Sequence, residues 1–416
     1  MYETKKNQKA AVLLVIVCAC LVWLEHQGCM VPIALSEASD DESLVTVSAE
    51  EYKRLKRYEK LDEVIWYLEE LYYTDIDTDK LLDDAIRGVF TGLNDPYSLY
   101  YDVETWKSVM NDNEGDQASI GVQLSSDYVS GRVVVSRVYR DTPAQIAGLH
   151  RNDVMVNVSS GDETLIVDAD NMHLAVRMLQ GEPGTMVHIS ILRDDEPVSF
   201  DIQRETITMR AVETAMLDDY VGLITVYSFT DSGFAQVFND AVDELEDQGA
   251  LAMIIDLRDN GGGSVDSAIS LADHFLDEKM VYYTLAKKGG SIQPRYTSKG
   301  ADDIPLVILV NEYSASSSEM VAGALQDYGR AVIVGTQTYG KGYIQYLAEL
   351  SDGQTGIQFT YAEYFTPKGY SVDGIGITPD LVVETNDAMT YDKEVGDFTD
   401  PQLEAAWLEA KRLIGK

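Results

Sequence analysis

The stretch from Pro305 to Gly342, PLVILVNEYSASSSEMVAGALQDYGRAVIVGTQTYGKG, decides the fold. PLVILV and AVIVG have the length and β-branched content of buried strands. SEMVAGALQDYG between them reads as a helix. Strand, helix and strand in succession build a layered sheet covered by helices. The alternation continues upstream: LAMIIDL is a third buried strand, flanked by helical DSGFAQVFNDAVDELEDQG and SVDSAISLADHFLD. Residues 204–390 therefore read as an α/β core of layered β-sheets with helices. The chain closes at 391–416 with a helical tail, FTDPQLEAAWLEAKRLIGK, which has Asp400 as cap and Pro401 in the first turn.

Upstream of the core the texture changes. Within 115–203, GRVVVSRVY, DVMVNVSS, TMVHISILR and VSFDIQR are short alternating strands between Gly, Pro and Asp turns. Two short helices interrupt them, TPAQIAGL and DNMHLAVRMLQG. VVSRVYRDTPAQIAGLHRNDVMVNV resembles the PDZ family, with Asn152 where that family usually has Gly. The resemblance implies an α+β module, inserted before the core, that takes a peptide C-terminus by strand addition. Ile120, Gly121 and Val122 would form the carboxylate nest, and Val176 and Leu179 the pocket for the last side chain. The expected partners are proteins or peptides with free apolar C-termini.

At the N-terminus, KKNQK precedes Ala10–Leu24, fifteen residues without a charge. A basic flank before an apolar run predicts a signal anchor or signal peptide over 1–35. The protein would then be single-pass in the cell membrane with its catalytic domain extracytoplasmic, or secreted if the segment is cleaved. Residues 36–50 are an acidic, Ser-rich linker, and 51–114 a helical region. From Glu51 to Tyr73 the apolar residues recur at steps of three and four, predicting one amphipathic helix that packs on its own domain or in a homodimer. A second helix, DKLLDDAIRGVFTGL, stops before NDPYS.

The 70 acidic residues against 32 basic ones give a net charge of −38, which argues against nucleic acid. It also argues against contact with anionic membrane surfaces except through the N-terminal segment. All three cysteines, Cys18, Cys20 and Cys29, precede the body, so disulfides do not hold it together. With no CxxC pair and no HExxH, neither a metal nor a cofactor is expected.

Ser316-x-x-Glu319 before an apolar helix is first of all a capping box. Two facts add a chemical reading. The serine stands at a helix N-terminus, where unpaired N–H groups can stabilise an oxyanion. It also follows a buried strand, where open α/β sheets carry their sites. A serine nucleophile needs a base. Of the five histidines only His274 is in the core, among apolar neighbours that suggest packing. Lys341, between glycines in TYGKGYIQ, is the other candidate, and Gln345 shares its face if the following residues form a strand. To act as a base the lysine must be neutral, so its site must be desolvated. DLRDNGGGSVDS supplies glycines that can present backbone N–H groups.

NDPYS, the PDZ-like module, LRDNGGG, SASSSEMVAGALQD and TYGKGYIQ occur in the order of the C-terminal processing peptidases, or tail-specific proteases. The resemblance spans about residues 50–410. It implies a serine endopeptidase with Ser316 as nucleophile, Lys341 as general base and Gln345 as the lysine's partner. The backbone N–H groups of Gly262 and Ser317 would form the oxyanion hole. Two alternatives stand beside this reading: an inactive PDZ adaptor on a protease scaffold, and a Ser-His hydrolase using His274.

Overall fold

The structure, a computed structural model, describes residues 31–34, 44–111, 117–127, 130–169, 171–207, 210–286, 292–385 and 399–416. The apolar run 10–24 lies outside them. Among the described residues no helix is long and apolar enough to cross a membrane.

The chain forms two compact units, Met1–Ile86 and Arg87–Lys416. In the first, a hairpin pairs Val31–Ala34 with Leu44–Val47, and Ser48 opens a helix, Ala49–Leu55. Its hydroxyl accepts from Glu51 N–H, and the Glu51 carboxylate accepts from Ser48 N–H at 2.7 Å. The single helix expected over 51–73 is instead two, Ala49–Leu55 and Glu59–Leu71. Between them Arg57 and Tyr58 donate to carbonyls three residues back, the tight hydrogen bonding that ends an α-helical run. Neither helix has a buried residue, and Trp66, Tyr67 and Leu71 are exposed.

The second unit holds the α/β core. Its main sheet has the order 212–216, 221–226, 252–256, 306–310, 331–335, 381–382. The first strand is antiparallel to its neighbour and the others are parallel. All five residues of Ala252–Asp256 and of Leu306–Val310 are buried, because helices cover both faces. On one face, Phe234–Asp247, Val265–Phe275 and Ser317–Asp327 bury Phe238, Leu245, Leu271, Phe275, Val321 and Leu325. On the other lies the closing helix, Pro401–Leu413, with Leu403, Ala406 and Ala410. Each large apolar side chain so buried contributes about 1.5–3 kcal/mol. A second, antiparallel sheet carries Ile292–Tyr296, Met280–Ala286, Gly356–Phe365 and Tyr343–Glu349 in that order, with Leu99–Tyr101 added to Gly356–Phe365.

Inserted before the core is the β-rich module. Its sheet runs 196–203, 186–193, 154–160, 132–138, 122–127, with 163–166 added to 154–160. The helices Pro143–Ala147 and Met172–Leu179 complete it around Val133, Val135, Leu149, Val158, Val187, Ile189 and Ile191. Asn152, where PDZ domains usually have Gly, has φ 68°, a conformation that Asn tolerates better than most side chains. The layered α/β core with an inserted PDZ domain is the observed fold.

The pocket expectation needs correction at Leu179, which is 3% exposed. Its side chain belongs to the hydrophobic core and does not line an open groove; Val176 is partly buried against that core. The Ile120 side chain lies in the same core, while its expected place in the nest concerns its backbone N–H. The strand Val122–Asp127 lies at the edge of its sheet, next to Met172–Leu179.

Candidate active site

Strand 306–310 ends at Asn311, and the chain turns there into the helix Ser317–Asp327. Strand 252–256 ends beside it and runs into Leu257–Gly263. Serine hydroxyls tie these two loops together. Ser314 Oγ donates to Leu257 O at 2.8 Å, Ser318 Oγ to Asn260 O at 2.9 Å, and Ser317 Oγ to Gly263 O at 3.0 Å. Asn311 and Asp259 add reciprocal bonds, Asp259 N to Asn311 Oδ1 at 2.9 Å and Asn311 Nδ2 to Asp259 Oδ1 at 2.7 Å. Three of the four clustered serines are therefore structural.

The fourth, Ser316, caps the helix with φ 54° and ψ −113°. Few non-glycine residues hold a positive φ, and such strain persists where the surroundings enforce it. Here the enforcing group is Glu319. Its side chain is fully buried. Its Oε2 accepts from Ser316 N–H at 2.8 Å and from Lys341 N–H at 2.9 Å. Its Oε1 accepts from Thr338 Oγ1 at 2.6 Å and Gly340 N–H at 2.7 Å. Burial pushes this carboxyl above its ordinary range, while the four donors pull it down. Three backbone N–H groups and one hydroxyl converge on its two oxygens, a donor set that suits a carboxylate. One oxygen atom thus holds the backbones of both Ser316 and Lys341. The sequence motif explained Glu319 as a helix cap alone.

Lys341 Nζ lies 4.6 Å from the centre of the Tyr97 ring. Burial lowers the pKa of this amine, against the opposing charges of Glu319 and Asp95. Gln345 is engaged with Thr360, its Nε2 3.2 Å from Thr360 Oγ1, rather than with Lys341. A register shift between Ile344 and Gln345 breaks the simple two-residue alternation there.

At the glycine loop, Gly262 has φ 103° and packs directly against the Ser316 turn. A Cβ at this position would lie 2.9 Å from Ala315 O, 3.0 Å from Ser316 Cβ and 3.1 Å from Ser317 N. Only glycine permits that approach. The Gly262 N–H itself donates to Asn260 Oδ1 at 2.9 Å. Of the two expected oxyanion donors, Ser317 stands at the helix start beside Ser316, and Gly262 is occupied by this short internal bond.

Arg258, buried, anchors the loop from below. It donates to Asp256 Oδ2 at 2.6 Å, to Asp400 Oδ2 at 2.5 Å and to Gln402 Oε1 at 3.2 Å. Its two carboxylate partners hold it protonated despite its burial. From the PDZ side, Arg137 Nη2 reaches Arg258 O at 2.9 Å and Gln123 Nε2 reaches Asp259 O at 2.9 Å. Tyr339 OH donates to Ser126 O at 2.8 Å, on the edge strand.

His274 is held between Phe238 and Phe275, with Nε2 4.0 Å from Asp302 Oδ2. It makes no hydrogen bond to Ser316, and its surroundings are those of a packed core histidine. Among the described residues no cluster of His, Cys, Asp and Glu suits a metal ion.

Comparison with known proteins adds independent findings. A family model described as peptidase family S41 matches residues 220–383, and a PDZ domain model matches 118–203. A model described as the N-terminal domain of the activating protease CtpB matches 15–105. The chain is 33% identical to a carboxy-terminal-processing protease of Bartonella bacilliformis, over 80% of this chain and 76% of that one. It is 32% identical to the carboxy-terminal processing protease CtpA of Bacillus subtilis, over 80% of this chain and 70% of that one. Among solved structures, a photosystem II D1 C-terminal processing protease superposes with a TM-score of 0.65 at 26% identity, covering 81% of this chain and 94% of that chain.

Proposed function

Because the chain belongs to the carboxy-terminal processing serine proteases of peptidase family S41, we propose that it cleaves protein substrates with a Ser316–Lys341 dyad. The observation that carries this reading is the shared Glu319 oxygen, which fixes both backbones, together with the burial of the Lys341 amine, which lowers its pKa. Neutral Lys341 takes the Ser316 hydroxyl proton as Oγ attacks the scissile carbonyl. The Ser317 N–H meets the developing oxyanion, joined by the Gly262 N–H once Asn260 Oδ1 yields it. The lysine then gives its proton to the leaving amine. Water, deprotonated by the same lysine, releases the acyl group.

We extend the reading to substrate choice. Val122–Asp127 is an edge strand, the feature a peptide uses for strand addition, and Tyr339 OH already takes one of its carbonyls, Ser126 O. A free carboxylate would sit at the N–H groups of Ile120, Gly121 and Val122, with Val176 beside the last side chain. The basic flank and apolar run at the N-terminus support export, with the catalytic domain outside the cytoplasm.

The test uses the full chain and unfolded substrates that differ only in their last residues or in C-terminal amidation. Ser316→Ala and Lys341→Ala are each expected to abolish cleavage in folded protein, while His274→Ala retains it. Cleavage by folded Lys341→Ala protein, lost in His274→Ala, would overturn the dyad. Equal rates on free-acid and amidated substrates would remove C-terminal recognition.

A further inference from the structure

NDPYS, Asn94–Ser98, marked the family resemblance but carried no role. In the structure it is a tight turn with a buried purpose. Asp95 organises it: Oδ1 accepts from Tyr97 N–H at 3.0 Å and Oδ2 from Ser98 Oγ at 2.6 Å. The turn is fastened to the strand Gly356–Phe365. Thr360 N–H donates to Ser98 Oγ at 3.2 Å, and Gln358 Nε2 to Tyr97 O at 3.1 Å. That strand pairs with Tyr343–Glu349, which starts two residues after Lys341. The result is that the Tyr97 ring faces Lys341 Nζ at 4.6 Å.

A ring face attracts an ammonium but not a neutral amine, so this contact discriminates between the two protonation states. Asp95 does the same through its charge. Burial disfavours its ionisation, yet the Ser98, Thr360 and Tyr97 hydrogen bonds and the Lys341 charge hold its carboxyl below the usual range. Thr360 also bonds to Gln345, so the turn, the strand and the expected lysine partner form one polar cluster.

We propose that the Asn94–Ser98 turn is a dock for the protonated side chain of Lys341, with the Tyr97 ring and the Asp95 carboxylate as its walls. Tyr97 and Asp95 are then positioning residues. They hold the charged lysine against the turn, and loss of the proton frees the amine for Ser316 Oγ. This rests on the Ser-Lys reading. Besides the dock, Lys341 faces Glu319 from the helix Ser317–Asp327. Tyr343, near Asp95, Asp373 and Glu363, and Tyr364, near Glu319 and Asp373, are the titratable groups next to those carboxylates.

The dock stabilises the ammonium, so its removal makes Lys341 easier to deprotonate. In full-length Tyr97→Leu, the acidic limb of kcat/KM against pH is expected to move down by about 0.5–1.5 units. Below both limbs, that is a roughly threefold to thirtyfold gain over wild type when each profile is scaled to its own plateau. Tyr97→Phe keeps the ring and should restore the wild-type limb. Asp95→Asn keeps the acceptor for Tyr97 N–H, presents an NH2 donor to the Ser98 hydroxyl oxygen in place of the other acceptor, loses the charge and should also move the limb down; it serves if Tyr97→Leu does not fold.

A second readout does not use catalysis. In the Ser316→Ala full chain, acetic anhydride labelling of Lys341 is followed against pH by peptide mass. Its midpoint should fall with Tyr97→Leu and return with Tyr97→Phe. A midpoint that rises or stays put overturns the dock, even where Lys341→Ala is inactive and the dyad stands. A midpoint that falls while Lys341→Ala still cleaves leaves a lysine dock and overturns the Ser-Lys reading instead.

Discussion

Replacing Glu319 by Gln tests whether one carboxylate organises both halves of the site. The swap keeps the side chain's shape and changes two things: the charge, and one of two acceptors into a donor. Glu319 receives four hydrogen bonds, two on each oxygen. The amide carbonyl can keep one pair, and the NH2 group must face the other. Facing Ser316 and Lys341, it would oppose two backbone N–H groups that have no freedom to turn. Facing Thr338 and Gly340 is the better choice, since the Thr338 hydroxyl can rotate. That hydroxyl oxygen already accepts from Ile377 N–H at 2.6 Å, which leaves room for one further donor. Gly340 N–H is still stranded. Two charge-assisted bonds are lost, each worth about 1.5–3 kcal/mol, and one buried donor goes unpaired. The expected destabilisation is about 3–5 kcal/mol, within reach of a domain with about 5–15 kcal/mol to lose.

Activity should fall further than stability. Gly340 N–H is one residue from Lys341, and the strained φ of Ser316 depends on the same carboxylate. A misplacement of about 1 Å can cost roughly a hundredfold in rate. We therefore expect Glu319→Gln to remain folded, with a lower urea midpoint and kcat down by about a hundredfold or more at little change in KM. Circular dichroism and denaturation establish the fold, and steady-state proteolysis reads the rest. Folded Glu319→Gln protein with kcat within threefold of wild type would refute the argument, because the shared carboxylate would then be a helix cap and nothing else.

Gly262→Ala should leave the fold intact and lower kcat by about a hundredfold to a thousandfold, because the added Cβ presses on Ala315 O and Ser317 N; unchanged kcat would separate this loop from the oxyanion. Arg258→Met strands Asp256 and Asp400 in a buried site, and a loss of about 3–5 kcal/mol is expected in urea unfolding; a change below about 1 kcal/mol would mean the carboxylates find other partners. For His274, burial pushes the imidazole below its ordinary value, against the charges of Asp302 and Asp243. As pH falls through the unfolded value near ~6.5, the unfolded chain takes up this proton before the native one, so stability drops. His274→Leu should lose less stability than wild type between about pH 7.5 and 5.5 and should keep its proteolytic activity, and a steeper loss in the variant would contradict this sign.

The parallel sheet was legible in the sequence because the strands within LAMIIDL, PLVILV and AVIVG are buried on both faces and therefore almost wholly apolar. The antiparallel sheet was not. MVYYTLA and GIQFTYAEYF mix tyrosine, threonine and charge, and pair with each other across a long separation in sequence. Helical periodicity correctly gave Met172–Leu179 an apolar face, but no period says whether such a face meets core or ligand, and Leu179 meets core. The same limit governs the site. Ser316 and Lys341 stood out by motif, whereas Glu319 was fully explained locally as the last letter of S-x-x-E. Its other donors arrive from 19 to 22 residues away, across a helix and a strand. Tyr97 is further still: its carbonyl is held by Gln358, 261 residues on. A lysine that must lose a proton needs an environment assembled from distant segments, since neighbours along the chain would leave it in water. The candidate nucleophile and base can therefore be picked out from local sequence, while the groups that surround the lysine come together only in the fold.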